Sequence, residues 1–574
     1  MALLFKSYRF KIFIFGTAVQ IFVLILVSRY MYNAIYGTND DLYMASVLQG
    51  NLTETDRLNV FYVGPIFSAI IVSLSKLNES ISWYSVSLLA FAILTFSYLL
   101  STMLRKEFKN IFKIYLFIFW MIIMLSSITY NYLQPTFTSI SIIISGVGVI
   151  AYFIRRITLN NKKNTWNVLP LLIIGLAISL RWESFILVIF MIFVILLLLS
   201  TLRELKLQDF LFSVYPIAAV IVFVRFFETY LYRWSLTEEW LSNYELVSVV
   251  DLYHPSDNRY LATSNWNLSS LSFTENINFE MFKNFILYDE ALYSSDYLIS
   301  INKSVDASLF DALSYFISNF SLQSYVRQIF QQYSYLFAAV SIIILIFLLF
   351  INNFNKLLLG ISYIIILACY VVLLNFLYIS YKLPERVYFS IFILVFLHLL
   401  FVHTLIISNK NIVLSHNITI SALVILALAL FLRDSKSEYL ARNAYYGELK
   451  NKASLYYKIY DEMDSSGIVI GNISSLNINY INPYNKKLLT KRLSDIIPLG
   501  WFNTSPHWRQ HIMDQGLDPE ELTLALINKK MYFVVENNLV DLLHTYLQTE
   551  TNLQIGIEKY YLDESTALIK FTAL

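Results

Sequence analysis

The chain has one cysteine, Cys369, and it lies inside an apolar run. No internal disulfide and no thiolate metal site can form, and the thiol reads as a small buried hydrophobe. Charge is almost as scarce: 14% of the 574 residues are Asp, Glu, Lys or Arg, against roughly a quarter in soluble domains. The formal net charge is only +2, and the basic residues gather in small clusters at the ends of apolar runs, so no nucleic acid is expected as a partner. Walker, nucleophile-elbow and Rossmann glycine patterns are missing, which removes ATP-driven pumping and serine hydrolysis of the usual kind. The histidines follow no HExxH spacing; His507 and His511 stand four apart without a nearby acidic ligand, so zinc is not expected. No internal repeat or low-complexity tract is evident.

What fills the chain instead is apolar and aromatic. Hydrophobic residues make up 57% and aromatics 17%, and several runs approach the ~20 apolar residues that cross a bilayer. The fold class this implies is an α-helical polytopic membrane protein. Apolar segments run over 12–30, 83–102, 113–130, 136–154, 168–180, 184–201, 210–227, 334–352, 357–378, 388–408 and 412–432, about eleven helices. The first follows Lys6, Arg9 and Lys11 but lacks a small-x-small cleavage site, so it reads as a retained helix and not a signal peptide.

A cytoplasmic amino terminus puts Arg105, Lys106, Lys109 and Lys113, then Arg155, Arg156, Lys162 and Lys163, then Arg203 and Lys206, then Lys356 and Lys410 on one side, as the positive-inside rule requires. Counting "VGPIFSAIIVSLSKL", 63–77, as a further crossing would invert that order. It is therefore expected to lie at the interface, with Pro65 at its start, where a helix tolerates proline.

This topology leaves outside the membrane the loop 31–82, the large loop 228–333, the hairpin "YKLPERVYF" at 381–389, and a segment from 433 to 574. In the last, short apolar runs such as "GIVIGN" and "MYFVVEN" alternate with helix-like "PEELTLALINKK", the pattern of a small extracytoplasmic α/β domain. Residues 1–432 form the transmembrane module.

The charges that remain are placed suggestively. "YGTNDDLYMASVLQG" opens a short helix with Asp40 and Asp41 close to the membrane surface. Asn39 as cap and acidic residues in a first turn give this a purely structural account. Yet the same outer layer receives Arg181 and Glu183 in "LRWESF" and Lys382 and Arg386 in "KLPERV". Ionisable groups there are cheaper facing a polar cavity than facing lipid. Such a cavity would hold carboxylates on one wall and cations on another. That suits transfer of a sugar from a polyprenyl phosphate: Asp40 or Asp41 deprotonates the acceptor hydroxyl, and Arg386 with Lys382 holds the phosphate, unless these two cations only anchor the hairpin to lipid headgroups. Arg181 and Glu183 would line the pocket unless they form a plain interfacial charge pair, as would Asp56 and Arg57 of "TETDRLN" unless those two belong to a solvated loop. Trp234, Trp240 and Trp266 could stack on sugar rings, though tryptophan is enriched at membrane interfaces in any case.

The retained first helix, the outer loop opening with "NDDLYMA", the proline-led "VGPIFSAII" and the many spans resemble the GT-C-fold membrane glycosyltransferases over residues 1 to about 230. These include protein O-mannosyltransferases, lipid A aminoarabinose transferases and the catalytic subunit of oligosaccharyltransferase. "NDDLYMASVLQGN", "ISWYSVSLL" and "KLPERVYF" are further similar to multi-spanning proteins of low-GC Gram-positive bacteria. The resemblance implies a lipid-linked sugar donor, chemistry on the non-cytoplasmic side, and a catalytic carboxylate at Asp40 or Asp41. The chain departs from better-known branches in having "VGPIF" in place of a KPPL- or HPP-type signature, and in lacking a WWD-type motif, so asparagine glycosylation is not expected.

The expectation is thus a multi-pass cell-membrane glycosyltransferase that decorates a cell-envelope glycopolymer or glycolipid among membrane lipids. No cofactor is certain; a magnesium or manganese ion could bridge Asp40 or Asp41 to the donor phosphate. A polymerase of lipid-linked repeat units and a non-enzymatic lipid-linked sugar translocase are the alternatives. Charge-poor span interiors weigh against the translocase, and the large outer loop keeps the polymerase open.

Overall fold

In the computed structural model the described residues are 7–30, 33–53, 57–104, 110–158, 168–201, 207–235, 238–254, 272–286 without 285, 309–319, 384–408 and, with short gaps, 440–454 and 467–574, with 351–352, 413–414 and some positions within 365–379. The helical bundle contains α1 (Tyr8–Tyr30), α4 (Trp83–Met103), α5 (Asn110–Leu133), α6 (Phe137–Thr158), α7 (Val168–Leu180), α8 (Trp182–Thr201), α9 (Leu207–Ser235) and α13 (Glu385–Ser408). Between α1 and α4 run two shorter helices, α2 (Asn39–Leu48) and α3 (Pro65–Leu77). Three more follow α9: α10 (Glu238–Tyr253), α11 (Phe273–Lys283) and α12 (Leu309–Asn319).

Six of the described helices are long and apolar enough to cross a membrane. A segment such as Tyr8–Arg29, 22 residues long, rises about 33 Å, enough for a ~30 Å hydrocarbon core. The outer faces of α1 and α9 expose Phe15, Phe22, Ile25, Val222, Phe223 and Phe226, side chains that lipid would cover. Helix α6 is instead buried along its length and forms the bundle's axis. Close approach there depends on Gly146, where a Cβ would stand 2.2 Å from Leu394 of α13. Ser390 donates to Ser139 across the same contact at 2.8 Å, and Ser141 donates to the Ala177 carbonyl of α7 at 2.9 Å.

Helix α3 has 13 residues and Pro65 in its first turn. At about 1.5 Å per residue it rises only some 20 Å, less than the hydrocarbon thickness of a bilayer. The spans expected over 334–352 and 412–432 lie outside the described residues, apart from their segments Ile351–Asn352 (β1) and Val413–Leu414 (β2), which pair antiparallel.

The carboxyl-terminal segment folds as expected into an α/β unit. Strands β3 (Ile468–Asn472), β4 (Ile496–Leu499), β5 (Met531–Glu536), β6 (Ile555–Tyr561) and β7 (Thr566–Ala573) form one sheet in the order β4-β3-β5-β7-β6. The first three run parallel and the last two join as an antiparallel hairpin. Nearly continuous apolar runs such as "IIPL" and "MYFVVE" suit parallel strands covered on both faces. The helices of this unit are α14 (Pro506–Asp514), α15 (Leu522–Asn528) and α16 (Val540–Thr551).

Two large hydrophobic cores are formed by the described residues. One is the bundle's. The second joins the sheet to α10, α11, the inner face of α2 and the start of α3. The sheet therefore packs directly over the first loop and the acidic pair's helix.

Candidate functional site

Helix α2 begins one residue earlier than the sequence suggested, and Thr38 caps it instead of Asn39. The Thr38 hydroxyl accepts from the Asp41 amide at 3.1 Å. The capped first turn then sends its two carboxylates in different directions.

Asp41 points inward and is fully buried. Its Oδ2 accepts from the Thr38 hydroxyl at 2.7 Å, and its Oδ1 accepts from the Tyr84 hydroxyl at 2.8 Å and the Phe137 amide at 3.0 Å. Phe137 is the first residue of α6, so the carboxylate satisfies a donor that the helix itself cannot pair and sits at its positive dipole end. Burial pushes the Asp41 pKa up to about 6, opposed by these three hydrogen bonds and by the nearby Arg386.

Asp40 points toward Arg386. Its Oδ2 lies 3.5 Å from the guanidinium, and both side chains keep partial solvent access, 18% for the carboxylate and 23% for the arginine. Arg386 is the second residue of α13, and its Nε is buried with no hydrogen-bond partner among the described residues. The first turns of α2, α4, α6 and α13 thus meet at one end of the bundle, where their N-terminal dipoles favour an anion. The basic residues Arg9 and Arg155 lie together elsewhere, around Tyr98.

Arg181 joins the same end. It occupies the joint between α7 and α8, donates to the Thr138 hydroxyl and lies over the rings of Phe137 and Tyr62, 4.6 and 5.1 Å from their centroids. Phe137 therefore connects it to Asp41: its amide binds the carboxylate and its ring carries the guanidinium. Tyr62 holds φ at +65°, a left-handed conformation that costs a bulky residue about 1–3 kcal/mol. Glu183 pairs with Arg181 at 3.8 Å but is 58% exposed, so it belongs to the rim.

The remaining candidates separate. Arg57 packs its guanidinium against Gly50, at the opposite end of α2 from Asp40 and about 15 Å along the helix axis; it does not meet the pair. Asp56 and Lys382 lie outside the described residues, as does Trp266. Trp240 is buried edge-on against His507 at 4.7 Å and near Phe61, so its ring is packing and offers no platform to a sugar. His511 turns its Nε2 to the Ile496 carbonyl at 2.9 Å, away from any shared ligand with His507.

A further acidic residue, Glu228, is buried in the bundle. The span expected to end at 227 continues in α9 to Ser235, which places Glu228 inside a helix and not in a loop. It is almost wholly buried, 3.7 Å from Arg225, and faces Gly64 so closely that a Cβ there would stand 1.9 Å from Oε1. Arg225 in turn lies over Trp182 at 4.9 Å. The available signal was an ionisable pair, Arg225 and Glu228, at the edge of an apolar run.

Among the described residues no three His, Cys, Asp or Glu side chains group as a metal site. Both Asp41 oxygens already accept hydrogen bonds, so Asp40 is the carboxylate of the pair that an ion could reach.

Fold and site together define a multi-pass, largely helical chain with a polar, anion-compatible site at one end of its bundle and a small sheet packed above it. No protein-family model matches the chain, and no curated protein matches it. Among solved structures, the crystal structure of ArnT from Cupriavidus metallidurans in the apo state aligns with a TM-score of 0.42 at 9% identity, over 96% of this chain and 97% of that one. A likeness of that size leaves the chemistry to the residues themselves.

Proposed function

We propose that the protein is a GT-C-type membrane glycosyltransferase that moves a sugar from a polyprenyl-phosphate-linked donor to a cell-envelope glycopolymer or glycolipid on the extracytoplasmic side. The observation that carries this reading is the partly exposed Asp40–Arg386 pair, 3.5 Å apart, set where four helix N-termini converge. A carboxylate and a guanidinium held side by side are the two groups that the reaction asks of its enzyme.

Asp40 takes the proton from the acceptor hydroxyl as that oxygen forms its bond to the anomeric carbon. The bond from the anomeric carbon to the phosphate oxygen breaks, and the negative charge gained there is stabilised by Arg386 and the helix dipoles. Arg181 lends a second cation along the same wall. Asp41 reaches no substrate; it fixes α2 to α4 and α6, so that Asp40 is presented at a set angle. A magnesium or manganese ion, where one binds, would rest on Asp40 and the donor phosphate and neutralise part of that charge.

The test compares cell-envelope sugar composition in cells carrying the wild-type chain, Asp40→Asn, or no chain. Loss of one sugar component in the last two, with normal amounts of the variant in the membrane, is the expected result. An Asp40→Asn variant that restores the wild-type composition overturns the reading. A ladder of repeat units in place of a single added sugar would point to the polymerase.

A further inference from the structure

A cavity of about 350 Å³ opens between α10 and the carboxyl-terminal unit, lined on one side by Glu239 and on the other by Arg509, Gln510, Asp518 and Glu520, with His507 beneath. Asp40, Asp41 and Arg386 are not among the residues that line it. Its volume lies at the small end of the ~300–1,000 Å³ common to small-molecule sites.

The lining is amphipathic. Arg509 spans the opening, 3.2 Å from Glu239 and 3.6 Å from Glu520, and so fixes the two walls relative to each other. Carboxylates there accept hydrogen bonds and the guanidinium and amide donate them, while Pro506, Pro519 and Met513 supply apolar surface. A ring with hydroxyls around its edge and C–H bonds on its faces meets both kinds of wall. Three carboxylates face one guanidinium, so a neutral or amino-bearing ligand is favoured over an anionic one.

The floor ties this cavity to the acidic helix. His507 is 1% exposed, and its Nδ1 lies 3.2 Å from the Tyr43 hydroxyl. Tyr43 stands three residues after Asp40 on α2, about 4.5 Å further along the axis. Its hydroxyl also donates to Ser505, and its ring stacks on Phe502 at 4.5 Å. A chain held in the cavity is thereby held next to the helix that presents the carboxylate.

We propose that this cavity is an acceptor-side subsite that binds one unit of a neutral or amino-bearing saccharide, selecting against uronic acids. It rests on the transferase reading only for the word acceptor; binding itself is measured without turnover. The experiment is saturation-transfer NMR on the full-length protein in detergent micelles, with glucose, glucosamine and glucuronate as probes. Expected are signals from glucose and glucosamine at least threefold stronger than from glucuronate, their loss in Gln510→Trp, which fills the cavity, and a gain for glucuronate in Glu520→Gln. Glu520 is 79% exposed, so its variant tests charge selection even where the tryptophan variant fails to fold. Absence of signal from every probe with the wild type, signals unchanged in a folded Gln510→Trp, or preference for glucuronate would each overturn the proposal. Binding that follows the expected pattern in a protein without sugar-transfer activity would fail the transferase reading alone.

Discussion

Asp40 and Asp41 are neighbours in the chain and opposites in environment: the first keeps 18% of its side chain open to solvent beside Arg386, while the second is fully enclosed by Thr38, Tyr84 and Phe137. Adjacent helical residues point about 100° apart, and here one direction leads to the site and the other into the packing. The two aspartates therefore differ in what their loss does.

Asp40→Asn is expected to lower sugar transfer by about 10²–10⁴-fold, the share a positioned base supplies, with little change in melting temperature. Asp41→Ala is expected to do the reverse in order of cause. It leaves the buried Tyr84 hydroxyl and Phe137 amide unpaired, at about 1–3 kcal/mol each, and transfer falls because the helix is no longer held. Thermal unfolding of both variants beside a transfer assay separates the two. An Asp41→Ala protein as stable as wild type would contradict the anchoring role.

Burial raises the Asp41 pKa to about 6 from an ordinary value of 3.8, so the folded chain holds this proton more tightly than the unfolded one. The stability contributed by that proton is complete below pH 3.8 and is lost as pH rises through about 6. Wild-type melting temperature should therefore fall over that window relative to Asp41→Asn, whose amide does not titrate and still offers an oxygen to Tyr84 and Phe137. Arg386 lowers this pKa, so Arg386→Ala should move the window upward. A wild-type-minus-variant difference that is flat with pH would count against the buried carboxyl.

Gly64 precedes α3 at its N-cap, and a Cβ there would meet Glu228 Oε1 at 1.9 Å and the Ser179 carbonyl at 2.8 Å. Gly64→Ala is expected to cost about 1–3 kcal/mol by overpacking. Adding Glu228→Ala should relieve part of the clash and leave the part owed to the Ser179 backbone. Melting temperatures of the single and double variants measure this, and a single variant as stable as wild type would show that the contact is not tight.

Much of this arrangement could be read in advance. Apolar length marked the helices, Pro65 marked the start of a short one, and the scarcity of charge made the pair at 40 and 41 conspicuous. That Asp40 would meet Arg386 was legible only through topology, since the order of the apolar runs brings both to one end of the bundle. Which aspartate faces the site was not legible, because it depends on partners such as Tyr84 and Phe137 that any apolar or aromatic helix end would supply. Arg57 misled because sequence proximity to the pair says nothing of direction along α2. Glu228 was hidden by a span boundary placed at 227 where the helix runs on to Ser235, because Glu228 breaks the apolar run while the helix continues.

The least legible feature was the grip of the carboxyl-terminal unit on α2, since no pattern in "NDDLYMASVL" announces that Tyr43 is its handle. Its ring stacks on Phe502, and its hydroxyl lies 3.2 Å from both Ser505 and His507. Tyr43→Phe keeps the stack and should cost about 1 kcal/mol for the lost polar contacts. Tyr43→Ala removes the ring as well, and should cost about 3–5 kcal/mol as a large-to-small change in a packed core. If the sheet's task is to hold the acidic helix in place, transfer should decline in the same order as stability, Phe before Ala, although neither change touches Asp40 or Arg386. Transfer that stays at the wild-type rate in a folded Tyr43→Ala protein would instead mean that α2 is positioned from the bundle side alone, through Asp41.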